Sequence, residues 1–147
     1  MDIIEKLKEE HLKIRTILLN LEMHSRKGSV DTDGILFNLK SLYDIWDKHE
    51  EKEEDIFPYL EKRGINVPVQ ELRFEHGALR RHRERIRAAL ISGAALKIEE
   101  IINLDLNIVI AKIREHMNKE DSVLYGVSWE SLKEKDLDEV KRIVERG

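Results

Sequence analysis

The chain contains no cysteine, which excludes disulfides, thiolate metal sites and cysteine nucleophiles together and fits a reducing cytoplasm. Without thiolates, the metal ligands to look for are nitrogen and oxygen. Proline and glycine are scarce, at 2 and 7 in 147 residues, so long helices with few breaks are expected. No stretch approaches the roughly 20 apolar residues of a membrane span. The opening Met1-Asp2-Ile3-Ile4-Glu5-Lys6 carries charge where a secretory leader has an apolar run. The expectation is a soluble, cytoplasmic protein with no membrane partner. An excess of positive charge is also lacking, since 26 basic residues face 30 acidic ones for a net charge of −4. That argues against nucleic-acid binding driven by charge. Arg80 to Arg87 is a local exception, and its alternation with apolar residues reads as a solvated helix face.

What the chain does have is charge, at 38 % of residues, and helical periodicity. Ile4, Leu7, His11, Ile14, Leu18 and Leu21 recur at steps of three and four, the pattern of a helix burying one face. They predict a helix from about Asp2, as N-cap, to about Arg26, stopped by Lys27-Gly28-Ser29. Val30-Asp31-Thr32-Asp33-Gly34 then supplies a loop and cap. A second helix shows Ile35, Leu39, Leu42, Trp46, His49, Glu53, Ile56 and Leu60. Pro58 has no N–H for the carbonyl of Glu54, so this helix should kink or loosen there.

Past the break Gly64-Ile65-Asn66-Val67-Pro68, a third helix carries Val69, Leu72, His76 and Leu79, then His82 or Arg83, then Ile86 and Leu90. Ser92-Gly93 ends it. A fourth, from near Ala94, shows Ile98, Ile102, Leu106, Val109, Ile113, His116, Glu120 and Val123, and a short fifth from about Asp136 to Glu145 offers Leu137, Val140 and Val144. The expected fold is all-α: an antiparallel up-down-up-down four-helix bundle over about 2–126 with a short C-terminal helical extension over about 128–146, in one domain of 1–147. His76 lies nearer the start of its helix than His49 lies to the end of its own. Bringing them level requires the connection between them to double back.

Six residues stand where such a bundle wants apolar ones: His11, His49, Glu53, His76, His116 and Glu120. In His49-x3-Glu53 and His116-x3-Glu120 the members of each pair are one helical turn apart on one face. A lone Glu in an apolar core costs several kcal/mol or stays protonated, and metal ligation removes most of that cost. Four His and two carboxylates suit two first-row ions such as iron, with the Glu as bridges and the His as terminal ligands. The Glu-x-x-His pairs of ferritin-like sites and the His-Glu-x-x-His of zincins are both absent from the sequence. Glu50, Glu51, Glu54 and Asp55 read as a solvated face, and His24 as a surface residue or partner of the helix end. His82, six residues after His76, falls about 9 Å along the axis and about 120° around it in a regular helix. A second-layer or channel role suits it, or ligation through a bulge. Tyr43 and Trp46 read as core packing, with Tyr43 also a candidate to reach a ligand bound at the metal.

The order His, His-x3-Glu, His, His-x3-Glu on four successive helices, with Glu53-Glu54-Asp55-Ile56-Phe57-Pro58 and Glu75-His76 around it, resembles the hemerythrin-like (HHE cation-binding) family over roughly Glu10 to Leu124. The resemblance implies a non-heme di-iron centre with an oxo or hydroxo bridge, held by His11, His49, His76 and His116 and bridged by Glu53 and Glu120. Oxygen carriers of the family have a second His four residues after the one in the third helix and an Asp five residues after the last. Arg80 and Asp121 stand there in this chain. The four-His, two-Glu set is closer to the di-iron domains of iron-centre repair proteins, although those tend to carry a cysteine-bearing N-terminal segment. The expected function is binding of, or reaction with, O2, NO or peroxide at an open coordination position. Iron storage, donation or repair of iron centres, with a redox or iron-acceptor protein as partner, is one alternative. A bundle that senses metal or oxygen is another.

Overall fold

The computed structural model describes residues 3–25 and 32–146, apart from the side chains of Thr32, Ala95, Ile102, Asn103, Val127 and Ser128. The described residues are helical and contain no strand: α1 Ile3–Ser25, α2 Thr32–Lys62, α3 Val69–Ser92, α4 Ala95–Ile101, α5 Asn107–Lys119 and α6 Glu134–Arg146. Two π-helical turns, Ile102–Leu106 and Glu120–Ser128, flank α5. The fourth expected helix is thus a composite. The expected cap at Asp2, helix end at Arg26, stop at Lys27-Gly28-Ser29 and loop start at Val30-Asp31 lie outside the described residues.

The apolar stripes fall into two core clusters. One gathers Ile14, Leu18, Ile35, Leu42, Trp46, Leu79, Ile86, Leu106 and Ile113 with their neighbours. The other gathers Ile4, Leu7, Ile56, Phe57, Leu60, Leu72, Leu124, Tyr125, Trp129 and Val140. Each long helix crosses from one cluster to the other at a polar step. In α1 the step is His11, in α2 His49 to Glu53, in α3 His76, and in the fourth helix His116 to Glu120. The polar residues therefore form one layer, walled above and below by close-packed hydrocarbon.

The connection from α2 to α3 makes up the difference in level. Pro58 lies inside α2, which continues to Lys62. The helix ends on Gly64 at φ 69, with Gly64 N–H donating to the carbonyl of Glu61 and Ile65 N–H to that of Leu60. This is the left-handed Schellman stop, where a residue without Cβ is favoured. Ile65 and Val67 then pack back on the second cluster. α3 starts after Pro68 and ends on Gly93, again at positive φ.

α6 closes the second cluster with Val140. It is fastened by Asp136, which accepts from Tyr59 Oη at 2.6 Å, Arg63 Nε at 2.8 Å and Lys133 N–H at 3.1 Å. Those donors, Tyr59 first, hold the Asp136 carboxyl down at about 2. Arg80, Arg83 and Arg85, from the Arg-rich run, pair with Glu50, Asp47 and Asp105. No helix of the described residues is long and apolar enough to cross a membrane.

Candidate metal centre

The structure brings all six residues of the polar layer together. His11, His49, Glu53, His76, His116 and Glu120 are each at most 1 % exposed. Their donor atoms form two groups that share both carboxylates: His11, His49, Glu53 and Glu120, and His76, His116, Glu53 and Glu120. On the first side, His11 Nε2 lies 2.9 Å from His49 Nε2 and 3.2 Å from Glu120 Oε1, and His49 Nε2 lies 3.5 Å from Glu53 Oε2. On the second, His76 Nε2 lies 3.4 Å from Glu53 Oε1, and His116 Nε2 lies 3.3 Å from Glu120 Oε2. Each carboxylate turns one oxygen to each histidine pair, which is the arrangement of a bridge.

All four imidazoles are held from behind in the same way. Nδ1 of His11 meets Asp121 at 2.8 Å, that of His49 meets Glu10 at 3.1 Å, that of His76 meets Glu54 at 2.8 Å, and that of His116 meets Glu75 at 2.8 Å. An ionised carboxylate only accepts, so Nδ1 carries the proton in each pair. That leaves Nε2, the atom facing inward, as the nitrogen that could hold a metal. Each carboxylate is tied in turn to a cation: Asp121 to Arg15, Glu10 to Lys52, Glu54 to Arg73 and Glu75 to Lys119. Four relays of imidazole, carboxylate and cation thus fix ring orientation and tautomer.

Charge inside the layer is unevenly compensated. Burial acts to raise Glu53, but the charge of His49 and contacts from Glu120, His49 and His76 outweigh it and hold Glu53 well below the usual carboxylate range. Burial and the neighbouring charge of Glu53 push Glu120 well above it. Burial alone lowers His49, yet the charge of Glu53 and the Glu10 contact lift it to about 10. Even so, Glu53 Oε1, both Glu120 oxygens, His76 Nε2 and His116 Nε2 are buried without a hydrogen-bond partner. Five convergent orphaned donors are costly in a protein interior, and first-row metal ions are the species whose coordination chemistry they match. The residues present fit a two-ion centre.

Several neighbours of the layer sit apart from its donors. Arg80 turns outward to Glu50 at 2.6 Å, so the position where a carrier has its fifth His contributes no donor. Asp121 stands behind His11, and Glu120 faces the two groups. His82 is half-buried, and its basicity is lowered by burial and by Lys112 and Arg85; it belongs to neither donor group. His82→Ala should leave the number of bound metal ions per chain unchanged by mass spectrometry, and a lost ion would place it at the centre.

The phenol that reaches the site is Tyr125, not Tyr43. Tyr43 lies under the Arg83 guanidinium, 4.4 Å from its ring centre, and burial raises it to about 12. Tyr125 Oη donates to Glu53 Oε2 at 2.5 Å and lies 3.3 Å from His49 Nε2. The sequence hides it because five residues of α-helix turn about 140° from Glu120. A π turn closes its hydrogen bonds from i to i+5 and brings such a residue round to the same face. Leu124 and Tyr125 are buried in consequence, and the expected Val123 is half-buried.

The family model of the hemerythrin HHE cation binding domain matches residues 2–127. No curated protein and no solved structure matches the chain.

Proposed function

The chain belongs to the hemerythrin HHE cation-binding domain family, and from that premise we propose that its buried polar layer is a di-iron centre that binds or reacts with O2, NO or peroxide. The observation that carries this reading is the sharing of Glu53 and Glu120 between two histidine pairs, one oxygen to each side. His11 and His49 would hold one ion, His76 and His116 the other, with both carboxylates bridging. The order in which successive helices meet the two apolar clusters alternates, which supports an antiparallel up-down-up-down course for the four helices.

Iron at these positions supplies Lewis acidity and electrons to a small ligand. The chain's own residues prepare the place. The four Nδ1 relays hold each Nε2 aimed inward, so the donors need no reorganisation. Trp46 packs its ring 6.1 Å from His49, 6.4 Å from His76 and 5.7 Å from His116, and Phe57 stacks on His76 at 6.0 Å. With both apolar clusters behind them, these rings wall the layer with hydrocarbon.

Four donors per ion leave room for a small ligand, because first-row ions commonly take five or six. With Arg80 bound to Glu50 in place of a fifth His, reactivity suits the geometry better than reversible carriage. Untagged protein loaded aerobically with ferrous iron should carry two irons per chain and gain a visible charge-transfer absorption. Colourless, iron-free protein after that loading refutes the proposal. Retention of the iron through dialysis against chelator supports a resident centre, whereas ready transfer to an apo iron–sulfur protein identifies the iron as cargo.

A further inference from the structure

The two halves of the layer differ. On the His76 and His116 side, both Nε2 atoms, Glu53 Oε1 and Glu120 Oε2 have no hydrogen-bond partner, and the nearest rings are those of Phe57 and Trp46. On the His11 and His49 side, a fifth polar atom, the Tyr125 phenol oxygen, stands beside the four donors. Tyr125 Oη is 3.3 Å from His49 Nε2 and 2.5 Å from Glu53 Oε2, and the Tyr125 ring centre is 5.3 Å from that of His11.

Two atoms bound at right angles to one ion, each at about 2.1 Å, are separated by about 3.0 Å. The donors of this side stand 2.9, 3.2 and 3.5 Å apart in the pairs His11–His49, His11–Glu120 and His49–Glu53. The phenol oxygen keeps the same spacing from His49. Its shorter approach to Glu53 is that of an O–H bound to a carboxylate. A cleft of about 190 Å³ between α3 and α5, walled by Glu75, Ala78, Leu79, Lys112 and Lys119, has His116 in its lining.

We propose that Tyr125 is a seventh protein ligand, bound to the ion that His11 and His49 hold, so that exogenous ligands bind at the ion that His76 and His116 hold. This rests on the di-iron reading above. In the ion-free protein the neutral phenol donates to Glu53. When a ferric ion binds, the O–H bond is replaced by an O–Fe bond, the proton leaves to solvent water, and no electron moves. Tyr125 thereby fills a position on one ion and leaves the position nearer the cleft open on the other.

The ferric protein, with iron content measured, should show phenolate-to-iron charge transfer and tyrosinate ring modes by resonance Raman. Tyr125→Phe should lose both at unchanged iron content. Two ferric ions per chain without tyrosinate modes in the native sequence overturn the proposal while sparing the di-iron reading. A chain that binds no iron overturns both. The native spectrum decides even if the Tyr125→Phe variant fails to fold. Azide tests the second half: Ala78→Trp, which fills the cleft, should slow azide association with the ferric protein by at least about tenfold. An unchanged rate overturns the placing of the open position.

Discussion

Loading the chelator-stripped protein with iron raises its melting temperature by roughly 10 °C, because binding to the folded chain alone stabilises it by mass action. At free iron a thousandfold above its dissociation constant, one site contributes about 4 kcal/mol. For a chain of this length each kcal/mol moves the midpoint by about 2–4 °C. The physical source lies in the layer itself. Five donor atoms are buried without hydrogen-bond partners, and coordination of an ion would offset the desolvation cost that their burial carries. The measurement is calorimetry of stripped and reloaded protein. A melting temperature that no first-row divalent ion changes would remove the layer from metal chemistry.

Glu120→Gln should abolish most of that rise while leaving the ion-free protein almost as stable as before. Burial and the neighbouring charge of Glu53 raise the Glu120 carboxyl and so favour its protonated form in the ion-free state. Glutamine copies the shape of that protonated group and offers an N–H where the acid has its O–H. The ion-free melting curve should therefore shift by less than about 1 kcal/mol, the range of a conservative change. Metal binding needs the ionised form. Glu120 Oε1 and Oε2 face His11 and His116 at 3.2 and 3.3 Å, so one substitution weakens both positions. Partners that merely stand behind a ligand are worth roughly 10–100-fold in affinity, and a bridging carboxylate should exceed that. Bound iron should fall from two per chain to at most one. A Glu120→Gln chain that still holds two ions would take Glu120 out of the bridge.

Much of this was legible in the sequence, for a definite reason. The stripes of α1 and α2 are legible residue by residue, since an α-helix repeats its face every three to four residues. His11, His49 and Glu53 interrupt the stripes in phase, which marks them as inward-facing and polar. Legibility failed where the backbone departs from that period. The π turn beginning at Glu120 moved the buried face from Val123 to Leu124 and Tyr125, and a three-to-four pattern cannot anticipate it. The outer carboxylates were equally hidden. Glu10 and Glu75 each precede a site histidine in the sequence, yet they serve His49 and His116 on other helices. Glu54, read as part of a solvated face, serves His76.

The sequence by itself determined the helical course of the chain, the exclusion of thiolate from any metal site and the six inward polar residues, because each follows from composition or from the period of a single helix. Tertiary structure alone decided which atom of each residue faces the centre, which carboxylate stands behind which imidazole, and that Tyr125 reaches Glu53 and His49. Those depend on contacts between residues as far apart as His11 and Asp121 or His49 and Tyr125. Such contacts come into being only when the helices pack, and no local period encodes them.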